Sequence, residues 1–189
     1  MTKPIFLLLF TCVLSAETHA QTHLKGQRFV EIQGGVVDGF SAHHQLGIQG
    51  LISTGCYNRQ YNAWKATASY MQKPIIGTDM TSAGQLRQVS IGWGYEFNLW
   101  RNAYRTRFVR GSFQPIATYE TVPASSSPMM SDSICATMPS GGRFIVGAEA
   151  GVETEFAPVI LSIRQRWLPK SGMQSFYTLV SVGWRLHGR

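Results

Sequence analysis

The 189 residues carry 17 Lys and Arg against 10 Asp and Glu, a formal net charge of +7 at pH 7, and 44% of them are hydrophobic. Beyond the first twenty residues no stretch is long and apolar enough for a membrane helix, which leaves the mature chain as either a soluble exported domain or a β-barrel. Five of the cations are lysines and twelve are arginines, and arginine suits fixed, multidentate ion pairs and phosphate contacts; the excess fits a polyanionic partner without choosing among lipopolysaccharide, nucleic acid and an acidic protein.

Residues 1–20 have the parts of a cleavable export signal: Lys3, an apolar run over residues 5–14, and the ending Thr18-His19-Ala20, with cleavage expected after Ala20. The run is about half of the ~20 residues a spanning helix needs, so a permanent anchor is the weaker reading. Cys12 lies inside the run and lacks the small preceding residue of a lipoprotein site. Residues 21–189 are expected to form a single domain.

From there the governing pattern is alternation with period two, broken by turn residues. Weak versions cover residues 27–37, 46–53 and 62–72. Over residues 89–97 the pattern is strong: Val89, Ile91, Trp93, Tyr95 and Phe97 share one face, with Ser90, Gly92, Gly94 and Glu96 on the other. Residues 104–121 form an over-long segment containing Pro115, which predicts a bulge or a strand projecting above the membrane. Residues 123–142, rich in Ser, Pro and Met, read as a loop. Next, Phe144, Val146, Ala148, Ala150 and Val152 oppose Gly147, Glu149, Gly151, Glu153 and Glu155. Residues 159–168 follow, and at the end Phe176, Val180, Val182, Trp184 and Leu186 oppose Ser181, Gly183 and Arg185.

About eight strands result, many near the ~9–11 residues of a membrane-crossing strand. With the N-terminus on the periplasmic side, the inner links fall at residues 54–61, 98–103 and 157–158, and longer outer links at 73–85 and 122–142. The first outer link, near Asp38 to Ser41, is expected to be short, with His43 and His44 near the start of the second strand. A soluble β-sandwich shares the period, and a periplasmic sandwich is the alternative. The preferred fold class is nevertheless an all-β, antiparallel, up-and-down β-barrel of outer-membrane type. Glycines beside isolated Glu and Arg suit a narrow, filled lumen, and strand-end aromatics such as Trp100, Tyr104, Trp167 and Trp184 suit interfacial girdles.

If Ala157-Pro158 is a two-residue turn, Glu149 faces Arg166 and Glu153 lies diagonal to Arg164, giving lumen ion pairs. The same topology puts Cys56 in an inner turn and Cys135 in an outer loop, too far apart for the disulfide that an oxidising compartment would otherwise favour.

No catalytic, cofactor or metal set emerges. His43 and His44 are adjacent, so on a strand they point to opposite faces and do not share a ligand site. Ser125 to Ser127 have no aligned histidine, and Glu149, Glu153 and Glu155 are better explained as partners of Arg164 and Arg166 than as acid–base catalysts. Arg101, Arg105, Arg107 and Arg110 form a basic rim. Direct nucleic-acid contact there is disfavoured, because one short cluster lacks a wider groove. A lipid-acting envelope enzyme would need a His, Ser and acid converging at one barrel end.

The signal ending in Ala20-Gln21, the strand Gln27-Arg28-Phe29-Val30-Glu31-Ile32-Gln33-Gly34-Gly35, the Tyr57-Asn58-Arg59 link, Leu99-Trp100-Arg101 and the closing Gly183-Trp184-Arg185 resemble the TraO family of Bacteroides-type conjugative transposons. The resemblance covers essentially the whole chain through texture and segment order. It implies a non-catalytic envelope component of a mating apparatus, in contact with outer-membrane lipid and other conjugative transfer proteins, with no cofactor. A porin-like or adhesion barrel unconnected with conjugation is the other reading.

Overall fold

A computed structural model describes residues 24–38, 46–58, 61–76, 83–104, 106–122, 141–172 and 175–188. Eight strands follow in order: β1 Arg28–Asp38, β2 Gly47–Tyr57, β3 Ala63–Ile76, β4 Ala83–Arg101, β5 Arg107–Val122, β6 Gly141–Phe156, β7 Val159–Trp167 and β8 Phe176–His187. Each pairs antiparallel with the next, and β8 returns to β1, where Ile32 faces Trp184 and Gly35 faces Ser181. Closure leaves no first or last edge strand, so the two-sheet sandwich is excluded.

Alternation sets the two surfaces. In β2 and β7 buried and exposed residues alternate almost without interruption. Ile32, Ile52, Ile91, Trp93, Ile163 and Val182 all face outward and are more than half exposed, while Glu31, Ser53, Ser90, Arg164 and Ser181 face in and are buried. An apolar outside around a polar inside is the reverse of a water-soluble domain and suits a hydrocarbon surround.

One end holds the short links between β2 and β3, β4 and β5, and β6 and β7, together with the first and last described residues, Leu24 and Gly188. The other holds residues 39–46, 77–82, 123–140 and 168–175. The first end is the inner one by the rule that inner turns are short.

Four details differ from the sequence reading. β1 ends at Asp38 and β2 begins at Gly47, a wider gap than the short link expected there; His43 and His44 lie outside the described residues. Cys56 is the next-to-last residue of β2, exposed and free; Cys135 lies outside the described residues. The bulge is in β4, where register shifts between Asn98 and Trp100, and the pairing with β5 also skips Trp93 and Gly94 opposite Pro115, which has no N–H to give. Finally, β4 extends well beyond residues 89–97. Its outer part keeps the period but reverses polarity: Leu86 is buried, while Gln85 and Arg87 are exposed. Tyr70, Val89, Tyr119 and Phe144 form one laterally paired outward row, and the row above it is Gln72, Arg87, Thr121 and Gly142. The change from apolar to polar marks where the strands leave the hydrocarbon.

Candidate functional site

The lumen is filled in three tiers. Towards the outer end a buried apolar cluster of Val37, Met71, Leu86, Ile145, Leu168 and Leu179, among others, closes the bore. At the inner end Phe29, Tyr57 and Ala63 form a second apolar cluster, with Phe108 also fully buried. Charge occupies the tier between them.

That tier draws on seven strands. Lys65 of β3 sends its ammonium to Glu31 at 2.8 Å, Glu153 at 2.7 Å and Glu96 at 3.3 Å. Arg185 of β8 reaches Glu96 at 2.8 Å and Glu155 at 3.0 Å, and also pairs with Glu31. Arg110 of β5 pairs with Glu96 at 2.6 Å and Glu155 at 2.9 Å. The Tyr57 hydroxyl accepts from Arg110 at 3.1 Å and Arg185 at 3.0 Å. One level outward, Glu149 takes Arg166 at 2.6 Å and Arg164 at 3.4 Å, while Gln114 donates to it at 2.9 Å. Five carboxylates therefore meet five cations, and oxygens of Gln33, Ser69, Ser90 and Ser162 accept from further guanidinium N–H groups. Buried charge is tolerable only with such pairing and hydrogen bonding.

Sequence reasoning placed four of these groups. Glu149 and Arg166 are directly paired across the 157–158 turn; Glu153 and Arg164 are diagonal neighbours, 3.6 Å apart. It did not assemble Glu31, Lys65, Glu96 and Arg185 with them, and it gave Glu155 to Arg164 and Arg166, whereas that carboxylate meets Arg110 at 2.9 Å and Arg185 at 3.0 Å. Their inward phase was readable strand by strand, but which of them meet depends on how strands far apart in sequence face each other across the bore. Of the four arginines grouped as a rim, the structure separates Arg110, which is fully buried among Glu96, Glu155 and Tyr57. Arg101 and Arg107 are exposed at the inner end, each over an aromatic ring: Tyr61 at 4.5 Å and Phe156 at 5.6 Å. Arg105 lies outside the described residues.

The carboxylates of Glu31, Glu96 and Glu153 come close enough to hold a cation, but the Lys65 ammonium sits among all three and takes that role. Nor do the described side chains form a nucleophile–base pair. The Ser162 and Ser181 hydroxyls are 2.6 Å apart and also bond Gln33, while the His187 imidazole meets the Tyr57 hydroxyl, 3.2 Å away at the inner end. A third group sits near the outer end, where Glu120 pairs with Arg143 and accepts from the Ser171 hydroxyl at 2.6 Å and the Gly172 N–H at 2.8 Å. It ties the link after β7 to β5 and β6.

Closure, an apolar exterior and a packed, charge-balanced bore define the class: a small β-barrel of the outer-membrane type. Neisserial surface protein A has this fold, with a TM-score of 0.53 at 13% identity over 86% of this chain and 97% of that one. Weaker likenesses reach Ail of Yersinia pestis (TM-score 0.47, 11% identity, 86% and 100% covered) and the N-terminal β-barrel domain of Pseudomonas aeruginosa OprF (0.46, 14%, 86% and 100%). Within that class, the family model described as conjugative transposon protein TraO matches residues 24–187, and the chain belongs to this family. Comparison with curated proteins finds no match.

Proposed function

We propose that this protein is a non-catalytic outer-membrane component of a conjugative transfer apparatus, with a structural or docking role towards other transfer proteins. Residues 1–20 are its export signal, and residues 21–189 are one barrel domain embedded in outer-membrane lipid. The observation that carries the reading is the bore: apolar tiers cap both ends and ion pairs fill the middle, so one copy has no space for a DNA strand. Membership in the family supplies the process. With solute passage closed off and no reactive set among the described residues, the surfaces outside the bore are what other proteins can use.

Clean deletion of the gene, with complementation, tests this. Mating frequency is expected to collapse in the deletion strain while growth is unchanged, and the protein is expected in the outer-membrane fraction with a heat-dependent gel shift. Normal mating after deletion would remove the role.

A further inference from the structure

Charge on this chain is segregated by position. Six buried lumen carboxylates are matched by six buried cations: Lys65, Lys73, Arg110, Arg164, Arg166 and Arg185. Towards the outer end, Arg87, Arg143 and Lys170 accompany Asp38, Asp79 and Asp132, and Lys3 and Glu17 offset each other within the first twenty residues. The cations left over are Lys25, Arg28, Arg59, Arg101, Arg105, Arg107 and Arg189, and by strand order every one belongs to the inner end. Outside the lumen no Asp or Glu falls there. Among the described residues the cations without a matching carboxylate at their own end are therefore those of the inner end, Lys25, Arg28, Arg101 and Arg107.

All four are exposed. Arg28 and Arg107 continue the outward phase of their strands, Arg107 beside Phe156, which is the level of lipid head groups. Arg101 is different. It pairs with Phe108, whose ring closes the lumen, and lies over Tyr61, itself 6.1 Å from Phe108, so it faces the mouth. Lys25 is exposed at the same end, in the turn fixed by Gly26 N–H donating to the Tyr57 carbonyl at 2.8 Å and by the Gln27 side chain donating to the Gly188 carbonyl at 3.0 Å.

We propose that the inner mouth is a docking surface for an acidic face of a periplasmic partner protein, with Lys25 and Arg101 as its contacts. The inference rests on the docking role proposed above and adds the chemistry of the partner. Lys25, Arg28, Arg101 and Arg107 stand at one end of the barrel, where no Asp or Glu among the described residues lies outside the lumen, and such an excess of like charge steers and selects an anionic partner. A nucleic acid is the poorer fit. Strand binding needs a row of open aromatic faces for successive bases, whereas Tyr61 and Phe156 are covered by guanidinium groups and Tyr104, 87% exposed, is the single aromatic ring of the 102–106 link.

The test uses the whole barrel in phosphatidylcholine nanodiscs, with a fluorescent oligoglutamate peptide as probe and a single-stranded oligonucleotide of equal charge as competitor. The peptide is expected to bind, to be released by added salt, and to bind about tenfold more weakly to K25E/R101E; R87E/K170E, at the outer end, should bind as the parent does. Tighter binding of the oligonucleotide would assign the mouth to nucleic acid and overturn the proposal. Loss of peptide binding when phosphatidylglycerol is added to the disc would assign the rim to lipid head groups, with the same consequence. In cells, K25E/R101E assembled at normal level should lower mating at least about tenfold. If that variant mates normally while gene deletion abolishes mating, the docking site is wrong and the envelope role stands. If deletion has no effect, the role falls, and the peptide measurement alone decides the mouth.

Discussion

Arg185 is the residue on which most of the lumen depends, since its guanidinium meets Glu31, Glu96, Glu153 and Glu155 and also bonds Tyr57. Replacing it with leucine leaves four buried carboxylates facing Lys65 and Arg110, with Arg164 touching only Glu153. Removing one side of a buried ionic group costs about 3–5 kcal/mol, because the remaining charge stays buried and uncompensated. Arg185→Leu should therefore lower the urea midpoint of the folded, heat-modifiable form by that equivalent, while Arg87→Gln on the exposed outer surface should shift it by no more than about 0.5 kcal/mol. A midpoint unchanged in Arg185→Leu would mean that water reaches the cluster and screens it. The pair Glu149 and Arg166 gives a finer measurement. Either single leucine substitution leaves a buried charge, whereas the double leaves an apolar patch, so the double should cost less than the two singles together, with a coupling of roughly 1–3 kcal/mol.

At the scale of strands, glycine decides how closely neighbours approach. A Cβ on Gly183 would stand 2.1 Å from the Ile32 carbonyl oxygen and 2.7 Å from Gln33 Cα, at the seam where β8 closes on β1. Neither atom belongs to a flexible side chain, so the strands must part. Gly34, on the outward face of the same seam, has open space around it. Gly183→Ala is expected to destabilise by about 1–3 kcal/mol, as overpacking does, and to leave a larger unfolded fraction on refolding; Gly34→Ala should be neutral. Equal behaviour of the two would show that the seam is not tightly closed. These strands were largely legible in the sequence, because a half-buried strand imposes its period whatever surrounds it: Val89 to Phe97 and the Glu149 to Arg166 pairing came from spacing alone. The ends of β4 and the length of the first outer link did not. At Leu86 and Arg87 the period continues with its polarity reversed, and a rule that assigns apolar residues to one face ends the strand where the strand in fact leaves the membrane. The Lys65 cluster was illegible for another reason, since contacts across a bore are set by barrel shear and carry no local signal.

Taken whole, the molecule is sealed at both ends and charged at one. An eight-stranded barrel has an interior only wide enough for side chains, and here it is occupied along its length: apolar at Leu86 and Leu168, ionic from Glu149 to Arg185, aromatic at Phe29 and Tyr57. Ion passage would require a carboxylate and a cation to part from each other and be solvated within an apolar collar, which disfavours even a narrow path. In planar bilayers the purified barrel should therefore give no steady stepwise conductance. Truncating the two collars, with Leu86→Ala, Leu168→Ala and Phe29→Ala together, should raise leak only in transient events while the ionic tier holds. Stable ohmic steps from the unaltered protein would mean that the central tier is hydrated and mobile, and a transport role would then replace the docking one.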